Sequence, residues 1–290
     1  MNQFKDIIDL YFELKDSPES TREAYSRRIN AFLGYLEKLN KQIEDMTLED
    51  VQLYILYLKK ERGLAPGTIN NYISSIRFFY TYVLEKDWDS RKIPRMKRVD
   101  TLPVLPSRLE VFTLLDAIEN IKHKAMLVLI YSSGLRVSEV SKLKIGDICS
   151  KNMSIRVEKA KHGTHRYTIL SETALQVLRA YFKVYFSKGS YTKSDWLFPG
   201  RVKGNHITGK TIKNIMLKLR TNLEMDSRIS AHTLRHCFST HLLEDGVEIV
   251  YIQQMLGHKR LTTTSKYLHM TSKSMMGIKS PLDSNGVNKV

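Results

Sequence analysis

"SIRVEKAKHGTHRYTIL", residues 154–170, is the stretch that sets the fold class of this chain. β-Branched residues stand at Ile155 and Val157 before the glycine at Gly163, and at Thr168 after it. Such runs on both sides of a Gly-containing turn are typical of a β-hairpin. The stretch therefore predicts one small antiparallel sheet.

The sequence on both sides of this hairpin follows the helical period and not the strand period. Residues 108–121 and 124–133 are predicted to be helices, the second ending at Gly134, and the chain after the hairpin is again helical. The predicted fold class is mainly α with a small β-sheet, an α+β arrangement.

The first hundred residues are predicted to form a helical bundle of their own. Ser20 with Glu23, and Thr47 with Asp50, each match the S/T-x-x-E/D capping pattern before an apolar-periodic stretch. An aromatic run follows, and its helical spacing favours a place in the core over stacking on nucleic acid bases. This run consists of Phe78, Phe79, Tyr80 and Tyr82.

The periodic pattern breaks at "DWDSRKIPRMKRVDTLPVLPS", residues 87–107, which holds three prolines and five Lys or Arg. This composition predicts a basic linker. We expect a helical N-terminal domain over residues 1–100, a mixed α/β domain over residues 108–275, and a polar tail over residues 276–290.

The charge balance favours a polyanionic partner. The 290 residues include 46 Lys and Arg against 30 Asp and Glu, a formal charge of +16. Residues 1–100 hold 17 basic and 16 acidic side chains, so the later part of the chain carries nearly all the surplus. Because the basic residues are spread out and not confined to one amphipathic tail, nucleic acid is favoured over a membrane surface.

Two cysteines, Cys149 and Cys237, are too few for a disulfide framework. The N-terminus has acidic residues where a secretory signal has an apolar core. The longest apolar run, "AMLVLIY" at residues 125–131, is far shorter than the ~20 residues of a membrane span. These features predict a soluble protein of the cytoplasm.

A second informative stretch is "AHTLRHCFSTH", residues 231–241, with three histidines in eleven positions. They could simply cap a helix or pack. His232 and His236 have a spacing that suits zinc, but the chain offers no C-x-x-C or H-E-x-x-H partner. In a third interpretation His232 and Arg235 share one helix face and together bind an anionic oxygen.

Three more segments carry residues suited to phosphate chemistry. Arg136 stands at the start of a predicted helix with Glu139 three residues on, where a carboxylate could fix the guanidinium in one rotamer. Lys161 lies at the turn of the hairpin. His258 and Tyr267 lie in "QQMLGHKRLTTTSKYLH". Each feature alone is ordinary surface chemistry.

Together these positions resemble, in order and spacing, the R…K…H-x-x-R…H…Y set of the tyrosine recombinases, or phage integrase family. The motifs are "GLRVSE", "AHTLRH", and "LGH" followed nine residues later by Tyr267. The resemblance spans about residues 3 to 272 and is strongest to compact Xer-type members. It implies that residues 1–100 bind a core DNA site and that residues 108–275 are catalytic. The matching residues are Arg136, Lys161, His232, Arg235, His258 and Tyr267.

The resemblance implies a site-specific DNA recombinase that uses Tyr267 as nucleophile. Tyr267 would form a 3′-phosphotyrosine, and strand exchange would pass through a four-way junction with four protomers on two double-stranded DNA sites. His232 would help Tyr267 to lose its proton, and Lys161 would protonate the departing 5′-oxygen. Lys159 is an alternative to Lys161 on the same hairpin.

By the same resemblance, Arg136, Arg235 and His258 would bind the phosphate. His236 and His241 would be structural. Phosphodiester cleavage needs fixed positive charge, which a metal or cationic side chains can supply. The later part of the chain shows no paired acidic motif, so we expect no metal, no cofactor and no ATP. Lys259 and Arg260 depart from the small residues that usually follow LGH.

Three alternatives remain open from the sequence. A type IB topoisomerase-like enzyme would use the same cations but relax supercoils without joining two sites. A metal-free ribonuclease would use paired histidines and a lysine, with no tyrosine. A DNA-binding regulator would need only the basic balance.

Overall fold

The computed structural model describes residues 2–97, 104–158, 165–187 and 189–269. The chain divides into two compact units, residues 1–101 (unit 1) and residues 102–290 (unit 2). Each has its own apolar core. Among the residues described, no helix is both long enough and apolar enough to cross a membrane.

Unit 1 is a helical bundle with an aromatic core. The helices are α1 (Asn2–Leu14), α2 (Glu19–Lys38), α3 (Leu48–Lys60) and α4 (Pro66–Phe78), and α4 continues into a π-helical turn, Phe79–Val83. Apolar residues three and four apart on each helix bury one stripe, and Phe32, Leu36 and Phe79 are fully buried. Edge-to-face and tilted ring pairs connect these helices.

One of the two predicted caps in unit 1 is confirmed. Thr47 and Asp50 form a capping box at the start of α3, with the Thr47 backbone N–H donating to Asp50 Oδ2 at 2.7 Å. The prediction for Ser20 was wrong, because α2 begins at Glu19 with Pro18 as its N-cap and no side-chain cap bond. Proline fixes its own φ near the value a helix start needs, so the helix begins before Ser20.

The aromatic run is buried at three of its four positions, and the first part of the predicted linker is packed against the core of unit 1. Phe78, Phe79 and Tyr80 are buried as predicted, whereas Tyr82 is 54% exposed. In the linker, Ile93 is buried in the unit 1 core. Trp88 and Met96 pack against the same core, so the first ten residues of that stretch belong to unit 1. Residues 98–103 of the linker, and the predicted tail, lie outside the described residues.

Unit 2 combines helices with one small sheet. Its helices before the sheet are α5 (Arg108–Asp116), α6 (Ile121–Ser133) and α7 (Val137–Ser141), followed by a 3₁₀ turn, Ile145–Asp147. After the sheet come α8 (Glu172–Tyr185), α9 (Gly209–Asn222), α10 (Ala231–Glu244), α11 (Ile249–Leu256) and α12 (Thr262–Ser265). A 3₁₀ turn, Lys266–His269, follows α12.

The sheet confirms the predicted hairpin and adds a strand. Strands β2 (Ser154–Glu158) and β3 (His165–Ile169) pair antiparallel, with Ile155 opposite Thr168. A two-residue strand, β1 (Ile148–Cys149), pairs with β2 on its other side. Two residues are too few to show an alternating pattern, which is why the sequence did not predict β1.

Helix α6 is the centre of unit 2. It is apolar on almost all sides, and six consecutive residues from Ala125 to Ile130 are buried. Helices α8 and α10 and strand β3 surround it. The helix ends at Gly134, whose φ of 63° is left-handed, and the chain then turns directly into Arg136 and α7.

Candidate active site

Three arginines meet around a single carboxylate, that of Glu139. Glu139 on α7 accepts two hydrogen bonds from Arg166 on β3, each at 2.8 Å, and one from Arg136 at 2.9 Å. Arg235 on α10 lies 3.6 Å from the same carboxylate. We call these four residues the arginine cluster. One negative charge against three guanidinium groups leaves a local surplus of positive charge.

The Glu139 carboxylate is ionised at every pH near neutrality. Burial alone would raise its pKa, but the hydrogen bonds and charge of Arg166, with further contributions from Arg136, lower the pKa of Glu139 to about 2. Its carboxylate also accepts the Arg136 backbone N–H at 2.7 Å, which fixes the start of α7. Glu139 therefore holds both the backbone and the side chain of Arg136.

The arginines also bind carbonyl groups at the ends of two helices. Arg235 donates to the Gly134 carbonyl after α6 and, at 2.8 Å, to the Leu256 carbonyl at the end of α11. Arg166 Nε donates to the Met255 carbonyl at 2.7 Å. The last carbonyls of a helix lack intrahelical partners and carry partial negative charge, so they stabilise buried cations.

The three guanidinium groups differ in how far they face solvent. The Arg235 side chain is 1% exposed and Arg166 7%, whereas that of Arg136 is 39% exposed. Burial, followed by the charge of Arg136, lowers the pKa of Arg235 to about 10, so it stays charged at neutral pH. Arg136 is thus the member of the cluster that an incoming anion meets first.

His258 lies at the edge of the cluster as a neutral ring. Its Nε2 is 3.2 Å from Arg235 Nη2, and its Nδ1 is 2.9 Å from Thr264 Oγ1. Burial, followed by the charges of Arg235 and Arg136, lowers the pKa of His258 to about 4. Because arginine can only donate, Nε2 accepts, and the single ring proton is assigned to Nδ1, which donates to Thr264.

Tyr267 lies beside the cluster of its own chain, on the 3₁₀ turn after α12. The residue is 1% exposed and packs with Phe238, Ile252 and Leu256. The Lys266 ammonium lies 5.1 Å from the centre of its ring. Burial raises the pKa of Tyr267, and the Ser239 hydroxyl and the charges of Arg235 and Arg136 offset part of that increase.

The hydroxyl of Tyr267 contacts a histidine that was expected to be structural. His236 Nδ1 lies 3.0 Å from Tyr267 Oη, and the two rings are 5.5 Å apart. His232, predicted to assist Tyr267, lies near the start of α10, and its ring lies 4.5 Å from that of His236. His241 Nδ1 bonds to the Tyr131 hydroxyl at 3.0 Å, away from this cluster.

Among the predicted site residues, five meet in one region of unit 2, and the sixth, Lys161, lies outside the described residues together with Lys159. The five that meet are Arg136, His232, Arg235, His258 and Tyr267. For the zinc alternative, the described part of the chain holds no group of three or more His, Cys, Asp or Glu side chains that could bind a metal ion.

Arg166 was not predicted from the sequence, and neither was the contact between His236 and Tyr267. Buried and exposed residues alternate along β3, and Arg166 shares the buried face with Thr168. An arginine at a core-facing strand position is rare unless it is paired, so this alternation could have identified it. For His236 the four-residue spacing from His232 was visible, but its partner Tyr267 is 31 residues away.

Comparisons with known proteins agree with this architecture. A family model described as "Phage integrase family" matches residues 107–274, and one described as "Phage integrase, N-terminal SAM-like domain" matches residues 4–90. The tyrosine recombinase XerD of Oceanobacillus iheyensis is 32% identical over 267 residues, covering 87% of this chain and 88% of the relative. XerD of Caulobacter vibrioides is 29% identical, covering 96% of each chain.

Two solved structures share the fold at low sequence identity. The Tn1549 transposon integrase in complex with transposon right end DNA has a TM-score of 0.70 at 19% identity, covering 97% of this chain and 96% of that chain. The XerH recombinase bound to a palindromic difH substrate has a TM-score of 0.71 at 19% identity, covering 93% of this chain and 81% of that chain.

Proposed function

The chain belongs to the phage integrase family, and from this premise we propose how its catalytic unit cleaves and rejoins DNA strands. It is a tyrosine recombinase, a DNA strand transferase that acts at specific sites in double-stranded DNA. The resemblance drawn from the sequence motifs is confirmed by the family model. What remains to be assigned is the role of each residue.

We assign Tyr267 as the nucleophile. Its Oη attacks the phosphorus of a DNA phosphodiester, an Oη–phosphorus bond forms, and the bond from phosphorus to the 5′-oxygen breaks. The phenol loses a proton to a base, and the 5′-oxygen gains one from an acid. Because one phosphodiester replaces another, the bond energy is conserved and the exchange is reversible without ATP.

The arginine cluster stabilises the charge that develops on the phosphate oxygens. Preorganised cations that are partly shielded from water act more strongly than the same groups in solution. Arg136 is the exposed fork that contacts the phosphate first, and the buried Arg235 supports it from behind. Glu139 and Arg166 hold these two guanidinium groups in fixed rotamers.

The two histidines of the predicted set have separate roles. Desolvation, followed by the charge of Arg235, lowers the pKa of His232, so His232 is neutral at pH 7 and able to accept the Tyr267 proton. His258 is neutral in the free protein, and a bound phosphodiester would raise its pKa. Once protonated, His258 can donate to a phosphate oxygen. Lys161 remains our choice for the acid on the 5′-oxygen, by family resemblance alone.

Strand exchange requires two DNA sites, so we propose that four protomers assemble on two double-stranded sites and pass through a four-way junction. We place the protein in the cytoplasm, where a recombinase meets its DNA. We propose that residues 1–100 bind the core DNA site, that residues 108–275 form the catalytic domain, and that residues 276–290 are a tail.

A single observation carries this proposal: Tyr267 is buried next to a carboxylate-centred group of three arginines from the same chain. The test uses a suicide DNA substrate, nicked so that the cleaved strand cannot religate, followed by a denaturing gel. Wild-type protein should give a covalent adduct that Tyr267→Phe lacks. The matched control is Tyr251→Phe, an exposed tyrosine on α11, which should form the adduct normally.

An adduct that persists in Tyr267→Phe overturns the assignment of the nucleophile. A two-site recombination assay run beside supercoil relaxation separates a recombinase from a topoisomerase-like enzyme with the same cations. Recombinant products at two sites support the proposal, and relaxation with no recombinant products contradicts it.

A further inference from the structure

We propose that His236 is a positioning residue that holds Tyr267 in a resting place, and that their hydrogen bond must break before Tyr267 attacks DNA. This inference rests on the proposed role of Tyr267 as nucleophile. It assigns a function to a histidine that the motif comparison left as structural.

The first support is the burial of the nucleophile. Tyr267 is 1% exposed, and its hydroxyl faces His236 Nδ1 at 3.0 Å. An attacking oxygen has to come within about 3–3.5 Å of the phosphorus atom. A phosphodiester is much larger than a water molecule and cannot reach a side chain that is 1% exposed, so the ring or its cover must move before the reaction.

The second support is the proton affinity of the two groups. Burial, followed by the neighbouring His232, lowers the pKa of His236 to about 3, while burial raises the pKa of Tyr267 above its ordinary value of 10. Because the pKa of His236 is lowered and that of Tyr267 is raised, transfer of the phenol proton to His236 is strongly unfavourable. His236 therefore keeps this phenol neutral and does not act as its base in the resting arrangement.

The third support is the short element that carries Tyr267. Helix α12 has four residues, Thr262–Ser265, and the 3₁₀ turn Lys266–His269 follows it. Besides the hydrogen bond to His236 and the contact of its hydroxyl with the Ser239 hydroxyl, the Tyr267 side chain is held by a small apolar group, Phe238, Ile252 and Leu256. Elements with few buried contacts open at lower cost than the core, so release of this turn is the natural route by which Tyr267 reaches a phosphate.

The same helix provides a matched control. His241 Nδ1 and Tyr131 Oη are also 3.0 Å apart, and His241 is also buried on α10. This second pair lies away from the arginine cluster, beside Arg108, which donates to the His241 carbonyl. A His241→Phe variant thus removes an equivalent bond from the same helix without touching the nucleophile.

The experiment compares wild type, His236→Phe and His241→Phe by two measurements. The first is nitration of the DNA-free protein with tetranitromethane, followed by mass mapping of the Tyr267 peptide. Wild-type Tyr267 should resist nitration relative to the exposed Tyr251, and His236→Phe should raise its nitration rate about fivefold or more, the effect of losing one typical hydrogen bond. The His241→Phe variant should leave Tyr267 protected.

The second measurement is the single-turnover rate of adduct formation on the suicide substrate at saturating DNA. The rate should rise about fivefold in His236→Phe and stay at the wild-type value in His241→Phe. A His236→Asn variant, which keeps a polar partner for the hydroxyl, should behave like wild type in both measurements. If His236→Phe does not fold, His236→Leu, which also lacks the hydrogen-bonding nitrogen, takes its place with the same expected results.

Two results would overturn the proposal. One is equal nitration of Tyr267 in wild type and His236→Phe. The other is a tenfold or greater loss of adduct formation in His236→Phe with His241→Phe unaffected, because His236 would then promote the attack. An adduct that persists in Tyr267→Phe would instead refute the proposed nucleophile, while nitration of the free protein still tests the resting contact.

Discussion

Asp50 in unit 1 and Glu139 in unit 2 are both carboxylates at the start of a helix, and their surroundings differ. In unit 1, Asp50 at the start of α3 is 7% exposed and pairs with one cation, Lys41, at 2.6 Å. In unit 2, Glu139 at the start of α7 is surrounded by three arginines. Both carboxylates accept the N–H at their own helix start. The first site is neutral overall, and the second has spare positive charge.

This difference separates a structural ion pair from a binding site. A buried carboxylate that is paired with one cation is already neutralised and does not attract a further ion. Three guanidinium groups that share one carboxylate repel each other, and an incoming phosphate relieves that repulsion. We therefore propose that the surplus charge, and not the burial of a carboxylate, marks the place where DNA is cleaved.

The largest expected effect comes from removing the charge of Glu139. Glu139→Gln should lower adduct formation on the suicide substrate by about a hundredfold or more, since breaking a buried ion pair costs about 3–5 kcal/mol. Exposed Glu119→Gln is the control and should match wild type. If Glu139→Gln cleaves DNA at the wild-type rate, the carboxylate does not organise the cluster.

A smaller effect is expected from Arg166, which touches Glu139 but is buried away from solvent. Arg166→Met should lower adduct formation about tenfold and reduce the free energy of unfolding by about 3 kcal/mol, because Glu139 loses a two-pronged partner.

The matched control for Arg166 is Arg228→Met, also in unit 2. The Arg228 side chain is 69% exposed and pairs with Asp226, whose side chain is 33% exposed, so its loss should cost under about 1 kcal/mol. Equal effects of the two substitutions on urea denaturation would contradict a special role for Arg166.

DNA binding should protonate His258, at the edge of the arginine cluster. The pKa of His258 is about 4 in the free protein, and a phosphodiester beside it would raise that pKa. At pH 6 we expect uptake of up to about one proton on binding of the DNA site, measured by calorimetry in buffers of different ionisation enthalpy. His258→Gln should abolish the uptake, and uptake unchanged in that variant would contradict the assignment.

The smallest effect on catalysis is expected in unit 1. Burial alone would raise the pKa of Asp50, but hydrogen bonds from Lys41 and Thr47 lower it below its ordinary value of 3.8. The ionised Asp50 carboxylate therefore contributes to the free energy of unfolding above about pH 4. This contribution is lost as the pH falls through the lowered pKa of Asp50.

Asp50→Asn should reduce the free energy of unfolding at pH 7 by about 1–2 kcal/mol and flatten this acid dependence, as measured by urea denaturation. Adduct formation at saturating DNA should stay within about twofold of wild type. A loss of cleavage comparable to that of Glu139→Gln would remove the distinction between the two carboxylates.

Much of the helical architecture follows from local patterns. The capping box at Thr47 and the left-handed glycine at Gly134 are set by residues within a turn of each other, so they are visible in sequence. The hairpin was predicted from β-branched residues around a turn, and it formed. Ser20 failed as a cap because the neighbouring proline, which the capping pattern ignores, had already started the helix.

Long-range partners were not predictable in the same way. Arg166 and Glu139 are 27 residues apart, and His236 and Tyr267 are 31 apart. No spacing rule connects residues on different elements, because their distance depends on how α7, β3 and α10 pack around α6 and on how α11 packs against β3 and α10.

The sequence by itself determined the fold class, the basic character of unit 2 and the family, since periodicity, charge and motif order are properties of the chain. Only the tertiary structure decided that three arginines share one carboxylate and that Tyr267 is buried against His236 and not His232. The physical reason is that hydrogen bonds and desolvation act over a few ångströms, and folding alone brings distant residues to that range.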